Sequence, residues 1–360
     1  MDKSSRLWRF ARRLLVVFAT IALCLVLGIG VLLGSLWLEH SSSVELPKPT
    51  GPFAVGREVF DWVDSKTFDN LAPVAGTKRE LLVWIWYPAA TGQSAVVDDY
   101  LPEPMRAAIT LQAGVLLSDF LTRDLSKVRG HSLRNADVSQ QQQSYPVVIM
   151  RAGASLEVAS YSSLAEDLAS HGYIVVGVDA PYRTGIVSFP DGRIIKRLPQ
   201  NNPEACLEKT GRERDRCVSR FLTAWNSDLV YVVDRLTELN TSGPSGKFMG
   251  RLDMTRVGIF GHSFGGAQAT QFCSEDSRCK AAVDLDGAPH GSVIQTGIHR
   301  PFMFLLSDHS RESDPQTQQI KADIQSIYER IPVNERLYAW IRGANHFTFS
   351  DDGAVLKSHL

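Results

Sequence analysis

Residues 256–269 read Arg256-Val257-Gly258-Ile259-Phe260-Gly261-His262-Ser263-Phe264-Gly265-Gly266-Ala267-Gln268-Ala269. The apolar run 256–261 predicts a strand, and the small residues from Gly265 onward predict a helix that packs closely on its neighbours. Between them stands Gly-x-Ser-x-Gly. In a chain of this length, with average glycine and serine content, on the order of 0.1 such matches arise by chance. The glycines permit a sharp, strained strand-to-helix turn with backbones in close approach. Such a turn lifts the Ser263 hydroxyl clear of the sheet. It also aims the backbone N–H of Phe264, at the helix start, toward a developing negative oxygen.

Working outward, similar apolar runs occur at 81–87, 146–150, 173–179, 280–286, 301–306 and 336–342. Unbroken runs are what strands buried on both faces of a parallel sheet show. Helical patterns fill the intervals at 160–170, 219–239, 264–275 and 317–330. In 219–239, Leu222, Trp225, Leu229, Val232, Val233, Leu236 and Leu239 recur at three- and four-residue steps. This alternation predicts an α/β protein with a mostly parallel open sheet and helices on both faces, and the Gly-x-Ser-x-Gly elbow makes the reading an α/β-hydrolase fold. The catalytic domain is read as 53–360. Residues 98–135 carry apolar side chains without a strand pattern and are read as a helical insertion, either a packing element or a lid. Gln140 to Gln143 read as a loop.

A serine hydroxyl needs an imidazole base held by a carboxylate, and in this fold the order is serine, acid, histidine. Downstream lie His290, His299, His309, His346 and His359. Only His346 follows a final strand, in Gly343-Ala344-Asn345-His346; the others read as exposed loop residues. Two carboxylates compete for the third role. Asp286 ends the strand 280–286, and Asp308 follows the strand 301–306. Most members of the fold use the later position, and the residues alone leave the choice open.

The stretch Tyr145 to Gly172, YPVVIMRAGASLEVASYSSLAEDLASHG, and the elbow GHSFGG resemble the platelet-activating-factor acetylhydrolases of the plasma and intracellular type II kind. The resemblance spans roughly 50–350 and implies Ser263 as nucleophile, Asp286 as acid and His346 as base. That family takes its acid from the strand just after the elbow helix. The family's His-Gly after the oxyanion strand is Ala152-Gly153 here, preceded by Arg151. The N–H of Ala154 can still serve beside that of Phe264, because an oxyanion donor needs a peptide group and no side chain. Arg151 is read as charge beside an anionic or zwitterionic head group. The resemblance implies hydrolysis of a short or oxidised acyl ester of a phospholipid through an acyl-enzyme. The alternatives are a general esterase or polyester hydrolase of the same fold, and a non-catalytic binding protein built on it. No H-E-x-x-H, clustered Cys/His or phosphate-binding glycine loop accompanies these residues, so neither metal nor cofactor is expected.

The remaining features concern location. Lys plus Arg is 38 and Asp plus Glu is 39. That balance speaks against nucleic-acid binding, which calls for a basic excess or patch. Residues 14–38 hold 25 uncharged residues, enough to span a bilayer. Lys3, Arg6, Arg9, Arg12 and Arg13 precede them, so the reading is a signal anchor: 1–13 cytoplasmic, 14–38 transmembrane, 39–52 linker, and the catalytic domain beyond the cytoplasm. Removal of 14–38 as a long signal peptide is the second reading. Four of the five cysteines form two local pairs, Cys206 with Cys217 and Cys273 with Cys279. In an oxidising compartment these are read as disulfides, although four cysteines permit three connectivities.

Overall fold

Strand Lys78–Ala89 shows why the sheet forms. Its residues Leu81 to Tyr87 are at most 1% exposed. Because side chains alternate across a strand, Leu81, Val83, Ile85 and Tyr87 enter one core while Leu82, Trp84 and Trp86 enter the other. Both faces of the sheet must therefore be covered. The computed structural model describes residues 3–92, 96–115, 122–242, 246–310 and 312–355.

In chain order the elements begin with helix α1 (Lys3–Ser41), β1 (Val44–Glu45), β2 (Ala54–Phe68), β3 (Lys78–Ala89), β4 (Val96–Asp99) and α2 (Glu103–Val115). There follow β5 (Val128–Arg134), β6 (Tyr145–Arg151), α3 (Ser162–Ser170), β7 (Ile174–Asp179), and the small hairpin β8 (Ile186–Ser188) and β9 (Ile194–Lys196). The second half holds α4 (Gly211–Ser242), β10 (Leu252–His262), α5 (Phe264–Glu275), β11 (Cys279–Leu285) and α6 (Val293–Thr296). It closes with β12 (Phe302–Leu306), α7 (Pro315–Arg330), β13 (Arg336–Trp340) and α8 (Asp352–Val355). The sheet runs β1-β5-β2-β3-β7-β6-β10-β11-β12-β13, with β4 beside β5. From β7 to β13 every neighbour is parallel, and β2–β3 and β3–β7 are antiparallel. The mostly parallel α/β sheet expected from the sequence is present, and its seven apolar runs are all strands.

Strands β1, β2, β4 and β5 of the main sheet and the hairpin β8–β9 lay outside that reading. In β2 the apolar residues are interrupted by charges, among them Arg57, which is buried. Its Nη2 lies 2.7 Å from Asp98 Oδ2, so the buried charge is paired and the strand tolerates it. The supposed helical insertion 98–135 is a correction. It contains α2, but its end is β5, a strand of the main sheet. The inward face of β5 is Val128, Gly130 and Ser132, too small and polar to register as a strand pattern. Residues 116–121 lie outside the described residues.

Helix α1 runs three residues past the expected 14–38 span, to Ser41. Leu7–Ser41 is long and apolar enough to cross a membrane, and none of its most apolar window is buried. At its foot Arg123 pairs with Glu39 at 3.2 Å. The two expected disulfides are present, Cys206–Cys217 and Cys273–Cys279. Cys206 and Cys217 are 11 residues apart. By loop entropy, replacing both with alanine is expected to cost about 3 kcal/mol. Breaking the shorter 273–279 loop is expected to cost somewhat less. Urea unfolding of the two double variants against the oxidised protein measures both losses.

Candidate active site

Every residue singled out for chemistry sits at the carboxyl end of a parallel strand, where open α/β sheets place their sites. Ser263 follows β10 with φ 56° and ψ −122°, a strained conformation costing about 1–3 kcal/mol. The turn is held from three sides. Ser263 N–H donates to the Leu285 carbonyl at 2.9 Å, and Gly266 N–H donates back to the Ser263 carbonyl at 2.9 Å. A Cβ on Gly261 would lie 2.0 Å from the Gly265 carbonyl oxygen, and one on Gly265 would lie 2.5 Å from those of Arg151 and Ala152. Only glycine fits at either place. The hydroxyl-bearing residue itself is half-buried, open to a cavity of about 730 Å³.

Asp286, the residue after β11, also has positive φ, 55°. Its Oδ2 accepts from His346 Nδ1 at 2.7 Å. Its Oδ1 accepts from the Ser307 N–H at 2.8 Å, and Oδ2 from the Ser307 hydroxyl at 2.8 Å. A third side chain, His309, places Nε2 2.8 Å from Oδ1. Burial alone would raise the Asp286 carboxyl, but these donors outweigh it and hold it well below the usual carboxylate range. Asp286 is thus a fixed anion. With Nδ1–H donating to it, a neutral His346 carries its lone pair on Nε2.

Asp308 has a different task. Its N–H donates to the Ala344 carbonyl at 2.9 Å, and its carboxylate accepts from the N–H groups of Gly343 (2.9 Å) and Ser310 (3.2 Å). It therefore braces the turn that precedes His346. Asn345 finishes the positioning through a reciprocal cap: its side chain accepts from Phe347 N–H at 2.9 Å, and its own N–H donates to the Thr348 hydroxyl at 2.9 Å.

Ser263, Asp286, His346, Phe264 and Ala154 line the same cavity. Phe264 opens α5, and Ala154 follows Gly153 on the loop after β6. Arg151 corrects an expectation. It is 3% exposed and lies beneath the elbow, with Nε donating to Gln268 at 2.8 Å and its guanidinium 5.2 Å from the Trp225 ring. It braces α5 and faces no head group. Among the described residues, 98–135 contributes nothing to the cavity either. The wall comes instead from Pro203, Glu204, Leu207, Arg214 and Val218, the segment closed by Cys206–Cys217.

Two histidines were underestimated by the sequence reading. His309, taken for a loop residue, reaches Asp286. His262, the variable position of Gly-x-Ser-x-Gly, completes a relay of hydrogen bonds. Gly153 N–H donates to the Tyr161 oxygen (3.3 Å), the Tyr161 hydroxyl donates to His262 Nδ1 (2.7 Å), and His262 Nε2–H donates to the His346 carbonyl (2.7 Å). Burial, reinforced by His346, lowers His262 to about 4, so it is neutral and a single tautomer satisfies the whole relay. The loop after β6 and the His346 loop are thereby tied through the elbow.

With this geometry in view, comparison with known proteins is informative. Residues 38–218 and 228–359 match the family "Platelet-activating factor acetylhydrolase, isoform II". The chain belongs to this family. A probable 1-alkyl-2-acetylglycerophosphocholine esterase of Arthroderma benhamiae is 26% identical, over 88% of this chain and 79% of its own. The platelet-activating factor acetylhydrolase of Cavia porcellus is 26% identical over 58% of this chain and 48% of its own. Thus the chain spans about four fifths of the fungal relative and about half of the mammalian one. A ferulic acid esterase from Streptomyces cinnamoneus has a similar structure, with TM-score 0.67, 28% identity, and coverage of 86% of this chain and 80% of that one. Family and neighbour together make the chain a carboxylic ester hydrolase of the α/β-hydrolase fold.

Replacing His262 by leucine leaves the Tyr161 hydroxyl and the His346 carbonyl without their shared partner. The expected loss is about 1–3 kcal/mol of stability. Chemical denaturation at neutral pH, with Tyr161→Phe as a milder companion, measures it.

Proposed function

We propose that the protein cleaves a short or oxidised acyl ester of a phospholipid, with Ser263 as nucleophile, His346 as base and Asp286 as orienting acid. The observation that carries this reading is the 2.7 Å bond from His346 Nδ1 to Asp286 in the cavity that also holds Ser263. In the first half-reaction the Ser263 oxygen attacks the ester carbonyl and its proton passes to His346 Nε2. The N–H groups of Phe264 and Ala154 receive the negative oxygen. Collapse expels the alcohol, which takes the proton from His346, and leaves the acyl group on Ser263. Water then repeats the sequence, releasing the acid and the free serine. Asp286 fixes the tautomer and stabilises the imidazolium while remaining ionised. The size of the cavity and its apolar lining, including Leu207, Val218, Ile320 and Ile324, suit a lipid-like ester.

The N-terminal helix is read as the membrane anchor, with the catalytic domain on the far side. Five basic residues precede its apolar run. Two disulfides fit an oxidising compartment. Protease added outside the cytoplasmic membrane is expected to digest the domain, and full protection would refute this topology.

The acid assignment has a sharp test on an aryl acetate. Asp286→Asn is expected to lower kcat by about 10⁴, because the imidazole loses its correct tautomer. Asp308→Asn removes only a brace of the turn and is expected to cost about tenfold. Fluorophosphonate labelling is expected in wild type and absent in Ser263→Ala. A panel of short-acyl phospholipids, long-acyl phospholipids and feruloyl esters separates the lipid reading from a general esterase.

A further inference from the structure

Asp286 holds two imidazoles, and catalysis by a serine triad accounts for only one. His309 stands two residues beyond Ser307, on the loop after β12, and is about one-third exposed into the cavity. Its Nε2 lies 2.8 Å from Asp286 Oδ1 and 3.0 Å from the Ser307 hydroxyl. Its Nδ1 lies 2.9 Å from Glu312 Oε2. A carboxylate oxygen only accepts, so a ring facing a carboxylate at each nitrogen must carry a proton on both. The geometry thus favours the imidazolium form of His309, held between two carboxylates. Burial alone would lower its proton affinity, and the bonds to Asp286 and Glu312 outweigh that and raise it.

We propose that His309 is a positioning residue whose fixed positive charge shares Asp286 with His346, so that His346 stays unprotonated to lower pH than it would beside Asp286 alone. This rests on the proposed roles of Asp286 and His346. The physical reason is Coulombic. An isolated carboxylate favours the protonated form of its imidazole, and that form cannot accept the serine proton. A second cation on the same carboxylate offsets this preference while leaving the orienting hydrogen bond in place. Among the described residues, the other charged groups facing His309 are few. Lys321 on α7 donates to the carbonyls of His309 (3.1 Å) and Glu312 (3.2 Å). Asp308 lies beside it in the chain and is engaged with the 343 turn, and Glu204 and Arg214 also line the cavity. Lys321 thereby anchors the loop without competing for Asp286.

Two measurements on the full chain test this. In wild type at neutral pH, nitrogen NMR of labelled histidines should show His309 protonated on both nitrogens. A single proton on that ring would overturn the proposal, and this reading needs no variant. The second measurement follows the pH at which His346 protonates in wild type, His309→Gln and His309→Arg. Glutamine keeps a donor and loses the charge, so the midpoint should rise by about 1 in pH. Arginine restores the charge and should return it toward the wild-type value. An unmoved or lowered midpoint in the glutamine variant, or an equal rise in both, refutes a role through charge. The acidic limb of kcat/KM on an aryl acetate should follow the midpoints. Absence of any Ser263-dependent hydrolysis, with the NMR shifts as expected, would refute the proposed function and leave this electrostatic assignment standing.

Discussion

The backbone at Ser263 occupies a region of conformational space that serine avoids, and the surrounding fold exists in a form that allows nothing else. Strand β10, the start of α5 and the end of β6 lie so close that Gly261 and Gly265 touch neighbouring carbonyls with no room for a methyl group. Around that contact the sheet sets every other distance. The flanking strands β6 and β11, and β12 and β13 beyond them, end at one rim, so each contributes one turn to the same cavity. The strain is local, whereas the two cores that balance it are spread over both faces of the sheet.

Much of this was legible in the residues. Strands buried on both sides advertise themselves as unbroken apolar runs, and all seven such runs are strands. The elbow was legible because its glycines answer a steric demand within six residues. What stayed hidden depends on contacts distant in the chain. Strand β2 carries Arg57 into the interior only because Asp98 arrives from β4 to meet it. The inward face of β5 holds a single large apolar residue, Val128, beside Gly130 and Ser132, too few to form a hydrophobic pattern.

The site divides along the same line. Asp286 and Asp308 are chemically identical, and each follows a strand. Their separation into one carboxylate bonded to His346 and another bracing the turn before it comes from register across β11, β12 and β13. His309 and His262 gave no sequence signal beyond their places at or just after strand ends, because the partners that join them to the site, Asp286 and the His346 carbonyl, lie 23 and 84 residues away. Arg151 shows the converse. A charge at the end of β6, beside the elbow, suggests contact with a ligand, yet its side chain turns under α5, where Gln268 and Trp225 receive it.

The wall formed by 203–218 differs from the rest of the cavity in one respect, the covalent bond that closes it. A surface loop must ordinarily give up conformational entropy when a ligand orders it. Here that ordering is accomplished at oxidation, before any ligand arrives. The region around His309 and Glu312 is held instead by the ion pairs of His309 with Asp286 and Glu312 and by the hydrogen bonds of Lys321. An ester entering the cavity therefore orders 203–218 at a lower entropic cost than an unbridged segment of that length would impose.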